Sequence, residues 1–457
     1  MSAAPGEAAA PAGTLRTLLD LAWPLVISRA AQVVVGLADA VMVAHLGPEA
    51  LAATTAGAVN TYAVFILPMG VVFLVSSFSS QLEGAGDRAG ARRYAWHGLA
   101  VAGGAQAVAL GLLPFVGPAV RLAPYAPGVH DAMAGYVAIR LLSTGAVVGL
   151  EALANHMGGL GDTRRPMLAN VAAMVLNVGG NWLLIEGHLG LPALGVRGAA
   201  IASAVSTWLA FLGLLAVFVR HGRRAPAGPL RLAELGRLLR FGIPSGFNWF
   251  LEFMAFTVFI NAVMGGLGTV PVAGFMAVIQ VNSVAFMPSF ALASAGAILV
   301  GQAIGAGHRE AVPRLLAVTF GAAAAWQVAV GLGCLAAPGL VLAPFARDAG
   351  TAEAFLEAAT AMLYVSVAWQ LFDAAVAVLA EGLRAAGDTT AVLLARLAVG
   401  WFLFVPGSWA TVRWLGAGPV AASGWLVVYL LVLSAVLLVR FRAGAWRRIV
   451  LVEPQAR

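Results

Sequence analysis

Residues 315–342 read LLAVTFGAAAAWQVAVGLGCLAAPGLVL, without one Asp, Glu, Lys or Arg. A helix needs about 20 mostly apolar residues to cross the hydrocarbon core of a bilayer. This stretch is therefore long enough to span, and it sets the reading of its neighbours. Similar runs recur at roughly 95–120, 171–185, 201–219, 247–264 and 421–439. Others are interrupted by single polar residues, and the chain reads as about twelve spans. Composition agrees. Charged residues make up 10% of the 457 and hydrophobic residues 61%, where an ordinary soluble domain carries about 25% charged. The fold class expected is an all-α polytopic membrane protein, because in lipid every backbone polar group must be satisfied inside the helix.

The arginines orient it. The chain has no lysine, so all 27 basic residues are arginine. Taking loops alternately, one side collects twenty of them, including Arg16, Arg88, Arg92, Arg93, Arg164, Arg165, the group from Arg220 to Arg240, Arg309, Arg314, Arg384 and the group from Arg440 to Arg457. The other side has Arg121, Arg197, Arg347 and Arg413, and Arg29, Arg140 and Arg396 lie in or near spans. The positive-inside rule puts the rich side in the cytoplasm. Both termini then lie there, in a multi-pass protein of the plasma (inner) membrane. The net charge of +7 follows from this bias, and no soluble element gathers the basic patch that nucleic acid would need. Residues 1–13 carry no basic residue and no apolar core, unlike a signal peptide.

The chain also repeats itself. Trp23-Pro24 resembles Ile243-Pro244, and Leu67-Pro68 resembles Met287-Pro288, both at an offset of 220 residues. Gln81 to Gly86 resembles Gln302 to Gly307 at 221, and Gly161-Asp162-Thr163 resembles Gly387-Asp388-Thr389 at 226. Two halves with six spans each enter the membrane in the same sense, and secondary transporters are often built from such parallel repeats, with the substrate between them. The organisation expected is a tail at 1–15, an N-lobe at 16–222, a cytoplasmic linker at 223–240, a C-lobe at 241–445 and a tail at 446–457. Pro68 and Pro288 each sit inside an apolar span and should bend it.

Ionisable residues inside a span are expensive and mark function by default. Asp39, Glu252 and Asp373 qualify, and the repeat does not duplicate them: Asp39 maps onto Ile260, Glu252 falls near Gln32 and Asp373 maps onto Val147. No arginine stands close to them in their own spans. Asn177 and Asn181 are four apart and share a helix face. With Asn155, Ser203 and Asp39 they would offer a hard cation several oxygens around one negative charge. The same amides also serve as simple hydrogen bonds between helices. Glu151 and Glu381 lie near the cytoplasmic ends of their spans, where water can reach, and are not assigned to the site. Gln32, Trp369, Gln280 and Asn282 are assigned to a substrate cavity, with Tyr62, Phe65, Trp249 and Phe250 as aromatic candidates for its wall. Cys334 is the only cysteine, so no internal disulfide forms. The seven histidines show no shared spacing, and no nucleophile elbow, zinc-binding His-Glu-x-x-His or P-loop appears. An enzyme is not expected.

Gly36-Leu37-Ala38-Asp39-Ala40-Val41-Met42, the segment His45 to Ala52, Gln81 to Gly86, Gly159 to Thr163, Gly195 to Ser203, Phe250-Leu251-Glu252, and Asp373 leading to Gly382–Thr389 together resemble the multidrug and toxic compound extrusion (MATE) family, over essentially the whole chain. The resemblance implies twelve helices in two pseudo-symmetric six-helix lobes. It implies export of amphipathic, often cationic compounds by alternating access in exchange for Na⁺ or H⁺, with no cofactor beyond that ion; two complete lobes in one chain make a functional monomer the expectation. Asp39 matches the family's N-lobe cation site, with Asn155 and Asn177 as neighbours, and with Asn181 and Ser203 where an acid or amide and a threonine often stand. Glu252 and Asp373 match the C-lobe carboxylates of the sodium-coupled bacterial subgroup. Two positions depart: Trp369 replaces a usual tyrosine, removing a hydroxyl near Asp373, and Asn181 replaces a carboxylate. The alternative reading is a flippase for a lipid-linked precursor, which would prefer a cationic cavity where these intramembrane charges are mainly acidic.

Overall fold

The computed structural model describes residues 14–122, 125–222, 227–346 and 352–452. Most of the terminal tail expected at 1–15 falls outside them, as do Arg223, Arg224, Arg347 and Arg457. The described chain is helical and contains no strand. Twelve spans follow in order: α1 (Thr14–Ala44), α2 (Pro48–Gly84), α3 (Arg88–Arg121), α4 (Pro127–Leu141 continued by Thr144–Gly159), α5 (Arg164–Ile185), α6 (Val196–Gly222), α7 (Leu232–Leu267), α8 (Thr269–Gly305), α9 (Arg309–Ala336), α10 (Ala352–Ala385), α11 (Thr389–Leu415) and α12 (Pro419–Arg442). Eleven of these are single helices long and apolar enough to cross a membrane, and α4 makes a twelfth as a pair bent by 46°. The opening stretch at 315–342 does not stay one helix. α9 ends at Ala336, Ala337 leaves the helical region, and Pro338 begins a short new turn.

The repeat is visible in the backbone. α2 and α8 are both 37 residues long, and each carries its proline, Pro68 or Pro288, without ending. Four turns at the arginine-rich end share one geometry. Gly86, Gly161, Gly307 and Gly387 have φ of 79°, 86°, 86° and 89°. At each, the glycine N–H and the next N–H reach back to the last helical carbonyls, as in Gly86 N to Glu83 O at 2.9 Å with Asp87 N to Leu82 O at 2.8 Å, and Gly387 N to Arg384 O at 2.9 Å with Asp388 N to Leu383 O at 2.8 Å. This is the left-handed helix stop that glycine adopts without a Cβ penalty.

The halves are not copies. α10 is continuous where α4 bends after Leu141. Two π-helical stretches, Phe259–Met264 in α7 and Leu397–Phe404 in α11, both fall in the C-lobe. The lobes also exchange material. Leu18, Leu21 and Ala22 of α1 pack in the C-lobe core, whereas Val43 at the other end of α1 packs in the N-lobe. Leu238 of α7 packs among N-lobe residues, whereas Phe259 and Val263 belong to the C-lobe core. Each lobe's first helix therefore straddles the boundary. The ends of the lobes pack as well. Within the connection expected at 223–240, helix begins at Leu232 and buries Leu238. Residues 446–452 are packed, with Trp446 in the C-lobe core and Leu451 among N-lobe side chains.

Contacts between lobes gather toward the arginine-rich end, where small residues let backbones approach closely. A Cβ on Gly70 would meet Gly246, one on Gly242 would meet Val71, and one on Gly84 would meet the carbonyl of Gln302. Gln81 Nε2 donates to Ala385 O at 2.7 Å, and Gln302 Nε2 donates to Gly159 O at 3.1 Å.

Candidate functional site

Among the described residues, three polar clusters hold most of the candidate site residues. The first is built on Asp39, near the end of α1 away from the arginine-rich side. Its carboxylate accepts from Asn177 Nδ2 at 3.1 Å and Asn181 Nδ2 at 2.6 Å through Oδ1, and from Ser203 Oγ at 2.8 Å through Oδ2. Asn177 also donates to Ser203 Oγ at 2.9 Å. All four side chains are buried. Asn177 and Asn181 share one face of α5, and Ser203 comes from α6, so three helices converge on one negative charge. The donors are neutral, and hydrogen bonds to an ionised acceptor are the stronger kind. Four of the five residues expected here are thus together. Asn155 is not: its amide donates to Glu151 O of its own helix at 2.8 Å, and it lines a different cavity.

The second cluster forms a floor between the lobes. Arg29 lies 3.6 Å from Glu151 and donates to Gln32 Oε1 at 3.0 Å. Gln32 Nε2 in turn donates to Glu151 Oε1 at 3.0 Å. Asn170 Nδ2 donates to Ser28 Oγ at 2.8 Å. From the C-lobe, Arg384 pairs with Glu381 and donates to Phe73 O at 2.8 Å across the boundary. The Arg29 guanidinium sits 5.5 Å from the Phe73 ring and 5.9 Å from that of Phe290. Phe73 stacks on Trp249 at 5.6 Å, and Trp249 meets Phe290 edge to face at 5.5 Å. Arg29, Glu151, Asn155 and Arg384 line a cavity of about 50 Å³ here. Glu151 and Glu381 are buried rather than open to water, because each is folded onto an arginine. Gln32, expected in the substrate cavity, belongs to this floor.

The third cluster faces a cavity of about 490 Å³. Tyr62, Trp249, Phe256, Phe286, Phe290 and Trp369 supply its aromatic wall, and Asn282 lies in it beside Gln370, whose Nε2 donates to Asn282 Oδ1 at 2.9 Å. Glu252 of α7 and Asp373 of α10 both line it. Gln327 Nε2 of α9 approaches Asp373 Oδ2 at 3.4 Å. Glu252 forms an ion pair with Arg396 of α11. That partner was missed by looking for arginine only along each carboxylate's own span. Buried amide oxygens of Asn248, Gln327 and Gln370, all on this wall, have no donor among the described residues. Gln280 is exposed and Phe65 is buried in the N-lobe core. Neither, nor Phe250, lines this cavity.

The MatE family profile matches residues 24–183 and 244–409, one copy per lobe. A probable multidrug resistance protein NorM of Pseudomonas putida is 30% identical over 419 residues, covering 90% of each chain. The multidrug resistance protein PmpM of Pseudomonas aeruginosa is 29% identical over 409 residues, covering 86% of this chain and 83% of its own. Among solved structures, a MOP superfamily transporter from Pyrococcus furiosus superposes with a TM-score of 0.86 at 21% identity, covering 97% of this chain and 100% of its own. The eukaryotic MATE transporter AtDTX14 superposes at 0.82 with 17% identity, covering 95% of this chain. The chain belongs to the multidrug and toxic compound extrusion family of efflux transporters, whose members are membrane carriers rather than enzymes.

Proposed function

We propose that this protein exports amphipathic organic cations in exchange for Na⁺ or H⁺, by alternating access, from the plasma (inner) membrane with both termini in the cytoplasm. A single chain holding both lobes is the working unit. The observation that carries this reading is the C-lobe cavity, where Glu252 and Asp373 stand in an aromatic wall large enough for a drug-sized ligand. Aromatic faces attract a delocalised cation, and more strongly when water is excluded.

The lobes touch through Gly70, Gly246, Gly84 and Gln302 at the arginine-rich end. With that end in the cytoplasm, this is an outward-facing arrangement, and the floor of Arg29, Phe73, Trp249 and Arg384 is its closed gate. An arriving ion competes for the carboxylates and releases the organic cation outward, and the lobes then rock. The residues fit a small hard cation best at Asp39. One carboxylate, the Ser203 hydroxyl and two amide oxygens, if Asn177 and Asn181 turn, would make an all-oxygen set. At the C-lobe pair, Arg396 already pairs with Glu252, whereas the side chain that approaches Asp373 is the neutral amide of Gln327, which leaves Asp373 to meet the arriving ion or the organic cation.

Ethidium efflux from proteoliposomes, with imposed Na⁺ and H⁺ gradients varied separately, tests the whole reading. Efflux should follow one gradient and collapse in Asp373→Asn and Asp39→Asn. Ethidium that stays put under both gradients, with folded and inserted protein, would overturn it.

A further inference from the structure

Arg396 has no role in attracting a cation, yet it sits in the wall of the cavity that would receive one. It stands in α11 one residue before the π-helical stretch Leu397–Phe404, and its partner Glu252 stands seven residues before the π-helical stretch Phe259–Met264. Such turns re-aim side chains relative to an α-helix and are frequent at functional sites. The Arg396 side chain is 11% exposed and pairs with Glu252. Its Nε is buried without a hydrogen-bond acceptor among the described residues. Beside the pair, Trp401 Nε1 donates to Leu251 O at 3.2 Å, fastening α11 to α7. The ion pair with Glu252 is thus made between two helices that are fastened to each other beside it.

Five charged side chains line the cavity: Glu252, Asp373, Glu381, Arg384 and Arg396. Glu381 and Arg384 pair with each other and cancel. Arg396 cancels one of the two remaining carboxylates. With all five ionised, the wall holds one net negative charge, although two acids face the ligand.

We infer that Arg396 is a specificity-determining residue: a built-in cation that fills one of the two acid positions, so that the cavity takes organic monocations and rejects dications of the same shape. This rests on the organic-cation reading above and adds the charge number of the substrate. A second ligand charge held about 7 Å from the guanidinium should be disfavoured roughly tenfold or more in a partly desolvated site.

Ethidium and propidium test this, because they share one aromatic body and differ by a cationic side arm. Their binding to the purified full-length protein is read by fluorescence anisotropy for the parent, Arg396→Gln, Arg396→Lys and Glu252→Gln/Arg396→Gln. The parent should prefer ethidium. Arg396→Gln should cut that preference about tenfold or reverse it. Arg396→Lys, which keeps the charge, should behave as the parent, and the double variant, which restores one net negative charge, should regain the preference. The double variant removes the Glu252–Arg396 pair whole and strands neither partner, so it and Arg396→Lys keep the test open if Arg396→Gln fails to fold: either one binding propidium as tightly as ethidium overturns the inference. An Arg396→Gln protein that is folded, less stable and unchanged in its dye preference would show that Arg396 only supports Glu252, and would also overturn it. A parent that binds neither dye would defeat the organic-cation reading first and this inference with it.

Discussion

The N-lobe and the C-lobe each bring an acid into the membrane, and they stabilise it by different means. In the N-lobe, Asp39 is held by two amides and a hydroxyl. In the C-lobe, Glu252 is held by a guanidinium and Asp373 approaches only an amide. The frames match closely, down to two 37-residue helices and four glycine stops of one geometry. The difference lies in side chains and in two π-helical stretches. A duplicated scaffold thus fixes where helices cross and leaves each lobe free to hold its own kind of charge.

Isosteric neutralisation should break or sharpen this contrast most strongly. Glu252→Gln strands the Arg396 guanidinium. Losing one partner of a fully buried pair costs about 3–5 kcal/mol, and because Glu252 keeps 36% of its side chain exposed, the loss here should be nearer ~2–3 kcal/mol. Asp39→Asn strands no ion and should cost only about 1–2 kcal/mol, the part of its hydrogen bonds that depends on charge. Thermal melting of the purified protein reads both. A larger loss in Asp39→Asn would mean that an unseen ion already shapes the N-lobe site. In ethidium binding the order should reverse in meaning: Asp373→Asn should weaken it about tenfold, and Asp39→Asn should leave it nearly unchanged while removing its dependence on Na⁺ or H⁺.

Next in size are the glycines at which the lobes touch. Gly70→Leu and Gly246→Leu both insert a side chain into the same crossing and should each destabilise by ~1–3 kcal/mol through overpacking, with efflux lost. Because the two residues face each other, their melting shifts should be alike, and a wide disparity would mean that one lobe yields where the other does not. Ser203→Ala removes one of the three donors to Asp39 and should cost about 1 kcal/mol, with Ser203→Thr recovering it. Smallest is Gln280→Ala, expected within about ±0.5 kcal/mol as an exposed change and silent in ethidium binding, whereas Asn282→Ala, inside the cavity, should weaken that binding measurably.

Much of this was legible in the sequence because it depends on local or periodic signals. Membrane spans follow from uncharged length, as at 315–342. The two lobes follow from Gly161-Asp162-Thr163 recurring at Gly387-Asp388-Thr389. Asn177 and Asn181 declare a shared face by their spacing of four. What was not legible is which helix faces which. Asn155 was grouped with Asp39 as an amide of a neighbouring span, as well as on the family resemblance, yet it donates to Glu151 O. Arg396 lies 144 residues beyond Glu252, and no spacing rule connects them. Gln32 and Gln280 were both plausible cavity residues by composition, and only the rotation of their helices separates the floor from the exposed face. Glu151 and Glu381 looked wet because of their depth along the span, a one-dimensional measure that ignores the arginines folded over them.

The straddling of α1 has a consequence for how the protein is made. Leu18, Leu21 and Ala22 share a core with Ile298 and Ile304 of α8, which follow them by more than 270 residues. At about 5–20 residues per second of synthesis, those partners emerge roughly tens of seconds after α1 does. During that interval the Leu18 to Ala22 end of α1 lacks its C-lobe neighbours, while Ser28, Gln32 and Asp39 can already meet theirs on α4, α5 and α6. The N-terminal half produced alone would keep that unfinished face, whereas the two halves expressed together could still complete each other. Completion of the α1 packing thus waits for α8.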